Sequence, residues 1–296
     1  METAVLYNVP HEVPWLVYIP LYFYFTGLSA GSFILSTLST VFRIKRFKPM
    51  ALPAAIISFL LLLLAPACLI LDLHQPTRFW HTLVPEYFNN TSALSYGSWL
   101  LTAYPIANLI YIYFIFVKND RVTRILGMVT VPLAIFVHAY TGFAFALVRA
   151  RAWWHSALMP GYFLTSALLS GIALLAVVAL MMDRYRQEKL EPGLYTSLRL
   201  MMIGILLVDL FWNGSFWLTL LVSNADGHAS ILLALHEKLY VWGELVSGML
   251  IPLAILVFPR TREDKVWLCL ASLLIIGGVF LMRYSVVFIG FDIPLS

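Results

Sequence analysis

Long apolar segments alternate with short polar connections along the whole sequence. A helix of roughly 20 apolar residues crosses the hydrocarbon core of a bilayer. The segments are continuously apolar instead of alternating, which favours helices over the strands of a membrane barrel. The pattern therefore predicts an all-α integral membrane protein, a single membrane domain over residues 1–296, with eight transmembrane helices. These are expected at 15–42, 51–72, 97–117, 123–147, 158–182, 197–223, 232–258 and 266–289.

The composition agrees with insertion into a membrane. Hydrophobic residues make up 61% of the chain and charged residues 11%, whereas a soluble domain is close to half apolar and a quarter charged. The net charge of +4 does not indicate a nucleic-acid partner, because basic residues of a membrane protein mark its cytoplasmic loops. Cys68 and Cys269 both lie inside apolar segments, so no disulfide framework, attached haem or cysteine-ligated iron–sulfur cluster is expected.

The basic residues predict how the chain is oriented. Because cytoplasmic loops carry the excess of Lys and Arg, we expect the first, third, fifth and seventh connections in the cytoplasm and both termini in the periplasm. The expected location is the inner (cytoplasmic) membrane of a bacterium. We interpret these residues as topology determinants in preference to lipid-specific sites. Fourteen of the 19 lie in or beside those connections: Arg43, Lys45, Arg46, Lys48, Lys118, Arg121, Arg124, Arg184, Arg186, Lys189, Arg199, Arg260, Arg262 and Lys265.

A weak internal repeat suggests two related halves. A shift of 140 residues superimposes Pro20, Tyr22, Phe23 and Gly31 on Pro160, Tyr162, Phe163 and Gly171. The two matched segments run in the same direction through the membrane. A parallel duplication would give two four-helix bundles, with halves at 15–147 and 158–289, although matches in aromatic-rich helices also arise by chance.

Polar residues at membrane depth concentrate toward the predicted outer side. An ionisable group there is costly unless it is paired, hydrated or used. A quinone headgroup needs hydrogen-bond donors for its two carbonyls, a titratable group that relays protons, and apolar walls. We predict one outward-facing polar pocket of this kind, formed by His11, Asp72, Arg78, His138, Tyr140 and Arg283.

Each main candidate for this pocket also has a structural explanation. Asp72 at a helix end is equally well explained by an ion pair with Arg78 or Arg283. His138 is explained by an interhelical hydrogen bond, and Tyr140 by the aromatic belt of the membrane interface. The residue types alone do not decide between these alternatives.

Two acids lie deeper in the predicted membrane, and they have two open interpretations. Asp209, with Asn213 one turn later, and Glu244 would each cost roughly 3 kcal/mol as a charged group at mid-bilayer. They form either a proton path toward the quinone or interhelical hydrogen bonds.

Haem is not expected, because a b-type haem needs paired deep histidines and only His138 lies at depth. A quinone site here would then need a redox partner close to the outer surface.

Four places in the chain resemble one family. They are Gly27–Gly31, Asp72–Trp80, Tyr140–Gly142 with the later Ser166–Gly171, and Trp242–Glu244. The second resembles a D-L-G-x-P-x-R-F-W pattern and, with the third, is the most specific. Together they resemble the NrfD/PsrC-type integral membrane subunits of polysulfide reductase and related respiratory complexes.

This resemblance implies a haem-free membrane-anchor subunit of two four-helix bundles that exchanges electrons with the quinone pool. The quinone would be menaquinone or ubiquinone. The implied partners are a periplasmic four-cluster iron–sulfur subunit and a catalytic subunit, either a molybdenum enzyme or a multihaem cytochrome. Enzyme activity would then belong to the assembled oxidoreductase complex, because this chain holds no centre of its own apart from the quinone site.

The resemblance also assigns residues to the quinone site. Asp72 and Tyr140 match the family's acid and tyrosine. Tyr22 stands where a histidine is expected, and His74 replaces the usual glycine, so the ligands of the headgroup differ in detail.

Two further expectations concern the outer side and the rival function. We expect the loops 73–96 and 149–157 to form the docking platform for the partner. The aromatic belt of the membrane interface explains Trp80, Tyr87, Trp153 and Trp154 just as simply. A secondary solute transporter is the alternative function, since it shares the helix count and the basic loops. Against it, no pair of strongly Gly/Pro-interrupted helices occurs at matching positions in the two halves.

Overall fold

The computed structural model describes residues 15–73, 75–90, 92–185 and 189–292. Within these ranges the regular secondary structure is entirely helical, and eight of the helices are long and apolar enough to cross a membrane. This confirms the predicted fold class. The helices are α1 (Tyr18–Thr40), α2 (Ala51–Asp72), α3 (Ala93–Phe116), α4 (Asp120–Ala146), α5 (Met159–Tyr185), α6 (Pro192–Val222), the short α7 (Ala225–His236), α8 (Leu239–Val257) and α9 (Lys265–Asp292).

The spanning helices form two rings of four. Helices α1, α2, α3 and α4 pack in sequence, and α4 closes the ring against α1. Helices α5, α6, α8 and α9 pack in the same way, and α9 closes the ring against α5. We call these rings the first bundle and the second bundle. They join where α5 packs against α1 and α4, and where α9 packs against α1.

The two bundles meet most closely at glycines of α1 and α5. A Cβ on Gly31 would collide with the carbonyl oxygen of Ala167, and a Cβ on Gly171 would lie 2.5 Å from Cα of Gly31. Small residues permit such a close approach between membrane helices, where dispersion contacts replace the hydrophobic effect as the main attraction. Gly31 and Gly171 are also matched by the 140-residue shift. That the halves arose by duplication stays a prediction.

The ends of the helices define two faces. Helices α1, α3, α5 and α8 end on the face where α2, α4, α6 and α9 begin. We call this the basic face, because most Lys and Arg residues lie there, and we call the other the opposite face. By the positive-inside rule the basic face is expected to be cytoplasmic.

The seventh apolar segment is broken near its start, in contrast to the prediction of one helix over 232–258. Helix α7 ends at His236, and the spanning helix α8 begins at Leu239. The first twelve residues of α8 have π-helical hydrogen bonding, and Pro252 follows in its α-helical end. Proline has no backbone N–H to donate to the preceding turn, and π-helical turns are common at functional sites. Glu244 lies inside this π-helical stretch.

Trp153 and Trp154 are only 1% and 3% exposed, so their assignment to the interfacial belt is wrong. Trp154 Nε1 donates a hydrogen bond to the carbonyl oxygen of Val286 at 2.7 Å. Nearby, Arg151 Nη1 donates to the carbonyl oxygen of Gly290 at 2.6 Å. The 149–157 loop is thus fastened to the end of α9, where the last carbonyls lack partners within the helix.

The loop between α2 and α3 is exposed on the opposite face. It contains two short 3₁₀ helices, Pro76–Leu83 and Pro85–Tyr87, and neither has a buried residue. Its aromatic side chains Phe79, Trp80 and Tyr87 are all exposed. That this loop docks a partner subunit stays a prediction.

Candidate functional site

The predicted site residues of α4 point to different sides of the helix. His138 and Tyr140 are two residues apart, which is about 200° around an α-helix. His138 contacts α5 and α9, whereas Tyr140 contacts α3. The residues predicted to share one pocket therefore fall into two groups. We call Tyr22, Asp72 and Tyr140 the tyrosine site, and we call His138, Tyr162, Asp209, Asn213, Glu244 and Arg283 the buried network.

The tyrosine site lies in the first bundle, near the opposite face. The Tyr140 ring packs directly against Gly97 of α3, where an added Cβ would collide with Cζ of the tyrosine. Tyr22 on α1 is buried, and α1 packs against α4, the helix that carries Tyr140. Both residues lie within two helical turns of the ends of their helices on this face.

Asp72 is the last residue of α2, on the same face as Tyr22 and Tyr140. One of its carboxylate oxygens, Oδ1, accepts a hydrogen bond from the backbone N–H of Leu16 at 3.1 Å. Within the described ranges no ion pair joins Asp72 to Arg78 or Arg283, so the pairing considered as its structural explanation is not observed. Arg78 is exposed in the loop after α2, away from the buried side chains. His11 lies outside the described residues.

Aromatic rings form the apolar surroundings of the tyrosine site. The ring of Phe23 lies 5.1 Å from those of both Tyr22 and Phe145, measured between centroids. Phe163 continues this cluster at 5.9 Å from Phe23. Such walls, together with hydroxyl and carboxyl groups, are the surroundings that a quinone headgroup requires.

Arg283 and His138 meet at the junction of the two bundles, and both are fully buried. Arg283 Nη2 lies 2.9 Å from the carbonyl oxygen of Phe163, 2.8 Å from Ser166 Oγ and 3.1 Å from His138 Nε2. The guanidinium also stacks on the Phe163 ring, with Cζ 3.9 Å from its centroid. On the other side, His138 Cε1 would lie 3.0 Å from a Cβ on Gly27 of α1. An arginine from α9 thus holds three helices together around one histidine.

Counting donors favours one arrangement of protons at this junction. Arg283 Nη2 carries two hydrogens, and the Phe163 carbonyl and Ser166 hydroxyl are its two nearest acceptors. His138 Nε2 then donates to the same Phe163 carbonyl, from which it is separated by 2.8 Å. In this assignment His138 is neutral and its Nδ1 is the acceptor.

Tyr162 connects two polar groups of the second bundle. Its hydroxyl forms a short hydrogen bond with Glu244 Oε1 and lies 3.2 Å from Asn213 Oδ1. A tyrosine hydroxyl has one hydrogen to donate. It therefore donates either to the Glu244 carboxylate, or, when Glu244 is protonated and donates to it, onward to Asn213.

Asp209 is linked to the same group of helices one turn deeper. Thr165 Oγ1 donates to Asp209 Oδ1 at 2.8 Å, and Asn213 Nδ2 donates to the backbone carbonyl of Asp209 at 3.2 Å. Asp209 is fully buried near the middle of α6. The three residues predicted as a proton path, Asp209, Asn213 and Glu244, are thus neighbours in one hydrogen-bonded cluster.

Several buried atoms of this network have no hydrogen-bond partner among the described residues. They are Arg283 Nε and Nη1, His138 Nδ1, Asp209 Oδ2 and Glu244 Oε2. No carboxylate lies within 4.0 Å of the Arg283 guanidinium in the described ranges. Leaving buried polar groups unpaired is expensive. These atoms are therefore the part of the network whose hydrogen bonds are not made to the described side chains and backbone.

Three hydroxyl side chains that the sequence did not single out as site residues connect the predicted ones: Tyr162, Thr165 and Ser166. Hydroxyl side chains on an apolar helix resemble ordinary packing residues, so nothing in their local pattern distinguishes them. One signal was available: the 140-residue shift superimposes Tyr22 on Tyr162. The structure places these two tyrosines in the tyrosine site and in the buried network respectively.

The residues that the structure describes include no group of three or more His, Cys, Asp or Glu side chains that could hold a metal ion.

The family model for "Polysulphide reductase, NrfD" matches residues 6–294. The chain belongs to this family. The resemblance predicted from four short motifs is thereby confirmed over nearly the whole sequence.

Characterised relatives extend over almost the full chain. It is 30% identical to the Hdr-like menaquinol oxidoreductase integral membrane subunit of Archaeoglobus fulgidus, covering 98% of this chain and 74% of that protein. It is 28% identical to the C subunit of selenate reductase from Mesobacillus selenatarsenatis, with coverage of 95% and 74%. It is 24% identical to the C chain of polysulfide reductase from Wolinella succinogenes, with coverage of 95% for both proteins. The family match and the eight spans identify a multi-pass membrane protein of the NrfD type.

Proposed function

We propose that this chain is the membrane-anchor and quinone-reactive subunit of a respiratory oxidoreductase complex. It exchanges electrons between the quinone pool and an iron–sulfur subunit docked on the opposite face, which is expected to be periplasmic. The names of its relatives support this function, since they are subunits or chains of menaquinol, selenate and polysulfide oxidoreductases. These names favour a redox subunit over a solute transporter.

The convergence of Tyr22, Tyr140 and Asp72 at the outer end of the first bundle carries the proposal. A bound quinone supplies two-electron chemistry coupled to the gain or loss of two protons. A tyrosine hydroxyl both donates and accepts hydrogen bonds, so Tyr22 and Tyr140 can bind a carbonyl or a hydroxyl of the headgroup. Asp72 is half-buried at the membrane surface. It can therefore exchange a proton between the site and the adjoining aqueous phase.

Arg283 and His138 supply a fixed positive charge and a proton acceptor between the tyrosine site and the second bundle. The guanidinium stays charged in proteins, and Phe163 and Ser166 hold it in position. Its charge stabilises negative charge that develops nearby, whether on a reduced headgroup or on the carboxyls of the buried network. We assign Arg283 and His138 as positioning residues, because neither contacts Tyr22 or Tyr140 through a hydrogen bond.

The second bundle provides a proton relay in this proposal. When Glu244 gains a proton, the Tyr162 hydroxyl can turn from Glu244 to Asn213, and the reverse change returns it. The cluster thus takes up and releases one proton at Glu244, and Asp209 is the next carboxyl group in the direction of the basic face. A relay that reached the basic face would make quinone turnover electrogenic.

Titration with quinone analogues tests the proposed site. We expect the purified chain to bind a short-chain naphthoquinone or benzoquinone saturably. Binding is measured by quenching of tryptophan fluorescence, because the Trp154 ring lies 5.2 Å from that of Phe145 beside the tyrosine site. The class that binds more tightly would identify menaquinone or ubiquinone as the natural type. No saturable quenching by either class would contradict a quinone site in this chain.

Asp209→Asn is expected to slow quinol turnover of the assembled complex at least tenfold. Asparagine keeps an oxygen that accepts from Thr165, but it cannot carry a proton. Turnover is measured as quinol-dependent reduction of the terminal substrate, per amount of complex in the membrane. Asp120→Asn, at the exposed start of α4, is the matched control. Normal turnover with Asp209→Asn would eliminate this residue from the proton path.

A further inference from the structure

A second polar site lies on the basic face, far from the residues discussed so far. A cavity of about 480 Å³ opens between the starts of α6 and α9. Thr196 and Arg199 line it from α6, and Arg262 and Lys265 line it from the region where α9 begins. Its volume falls within the range of small-molecule sites. Arg199 is about 15 Å along α6 from Asp209, so the cavity is separate from the buried network.

The acids in the cavity wall are engaged with other groups. Glu263 Oε1 lies 3.4 Å from Arg262 Nη2 in a pair that is largely exposed and therefore contributes little. Asp264 Oδ1 accepts a hydrogen bond from the backbone N–H of Val266 at 2.9 Å, at the start of α9. These contacts direct both carboxylates toward groups of their own segment, and the cations of α6 and α9 keep donors for an anion.

Arg199 supplies most of these donors. It is half-buried, and its hydrogen bond within the described ranges is a long one, from Nη1 to the carbonyl oxygen of Leu256 at 3.4 Å. A guanidinium has five N–H donors in a rigid plane, which match two oxygens of a phosphate. The remaining donors of Arg199 are therefore suited to a phosphate oxygen.

Lys265 is fixed at the edge of the same cavity. Its Nζ donates to Asp183 Oδ2 at 2.7 Å and lies 4.6 Å from the centre of the Tyr195 ring. An ammonium group has three N–H donors, so two remain after the bond to Asp183. The aromatic ring and the carboxylate hold the ammonium in place for them.

We propose that this cavity binds a phosphate group through Arg199, Lys265 and the hydroxyl of Thr196. The phosphate comes either from the headgroup of an anionic phospholipid or from free inorganic phosphate. Basic pockets between membrane helices on the cytoplasmic side suit anionic headgroups. Tyr195 and Leu268 add an apolar wall beside the cations. This site is independent of the proposed quinone chemistry, and it gives part of the basic face a role besides topology.

Thermal unfolding of the purified full-length chain in detergent tests this site. We expect phosphatidylglycerol to raise the Tm saturably and phosphatidylcholine, added at the same concentration, to leave it unchanged. Sodium phosphate is titrated in parallel at constant ionic strength. A saturable rise with sodium phosphate would support the site with free phosphate as its ligand, and a rise with phosphatidylglycerol alone would support it with lipid. Equal responses to both lipids, without a phosphate response, would overturn the proposal.

Variants then locate the binding. Arg199→Gln is expected to lower the affinity for the ligand that raises the Tm about tenfold, since it removes a charged hydrogen-bond donor. Arg121→Gln, on an exposed arginine of the basic face outside the cavity, should leave binding unchanged. If Arg199→Gln does not fold, the exposed Thr196→Ala serves instead and should weaken binding several-fold. Unchanged affinity in the folded variant would place the phosphate elsewhere and overturn the assignment.

Discussion

Tyr140→Phe will lower quinol-dependent turnover of the assembled complex about 100-fold while leaving assembly intact. Phenylalanine keeps the ring that packs against Gly97, so α3 and α4 retain their contact. The variant loses only the hydroxyl, which donates to the headgroup and helps to transfer its proton in the proposed site. Loss of a positioned proton-transfer group costs roughly 10²- to 10⁴-fold in rate. The measurement is quinol oxidation by membranes containing equal amounts of complex.

A matched tyrosine on the lipid-exposed side of α3 controls for this change. Tyr113 is 60% exposed and lies away from the tyrosine site, so Tyr113→Phe should have normal turnover. Tyr22→Phe should resemble Tyr140→Phe if both hydroxyls bind the headgroup. Full activity of Tyr140→Phe would show that its hydroxyl does not take part, and the first bundle would lose its main catalytic candidate.

Glu244→Gln is expected to lower turnover by a similar factor, about 100-fold. Glutamine has nearly the same shape and can still hydrogen-bond to Tyr162, but it cannot take up or release a proton. Proton uptake and release at Glu244, and the turning of the Tyr162 hydroxyl that accompanies it, therefore stop. Quinone-analogue affinity should remain close to normal, because Glu244 belongs to the second bundle and the tyrosine site belongs to the first. Turnover and fluorescence titration together separate these two quantities.

Tyr162→Phe provides an internal test of the same relay. Because Tyr162 and Glu244 act as one unit, the double variant should be no slower than either single variant. Glu191→Gln, on an exposed residue before α6, is the matched control. Additive losses in the double variant, or weakened quinone binding in Glu244→Gln, would indicate separate structural roles in place of a relay.

Hydropathy alone was sufficient to predict the helices, because a membrane-spanning helix must be apolar over its whole length. Hydropathy was less informative about which side chains of a helix are buried in the bundles and which face the lipid. Lipid tails are as apolar as a protein core, so the buried and lipid-facing sides of a span have similar side chains. Trp153 and Trp154 illustrate this: their positions in the sequence indicate the interface, yet both are buried. The break before α8 was missed because the chain is apolar both before it, at residues 231–235, and after it, at residues 239–242.

Polar residues inside the membrane were easier to recognise from the sequence. Because an ionisable side chain is costly in a bilayer, hydropathy alone marks four residues as unusual: His138, Asp209, Glu244 and Arg283. Which of them are neighbours depends on helix packing, and the contact of Arg283 with His138 joins residues 145 positions apart. The division into two groups was partly predictable, because residues two apart on a helix, such as His138 and Tyr140, face different ways.

If this chain joins the quinone pool to an iron–sulfur partner, quinone and partner should stay with the tagged chain when it is purified gently from native membranes. Co-purifying proteins are identified by mass spectrometry, and quinone content and the haem spectrum are recorded on the same sample. We predict an iron–sulfur partner, bound quinone and no haem b in this subunit. A chain that purifies alone and without quinone would contradict the claim and favour a transporter. Stoichiometric haem b in this chain would contradict the assignment of His138 as a neutral neighbour of Arg283.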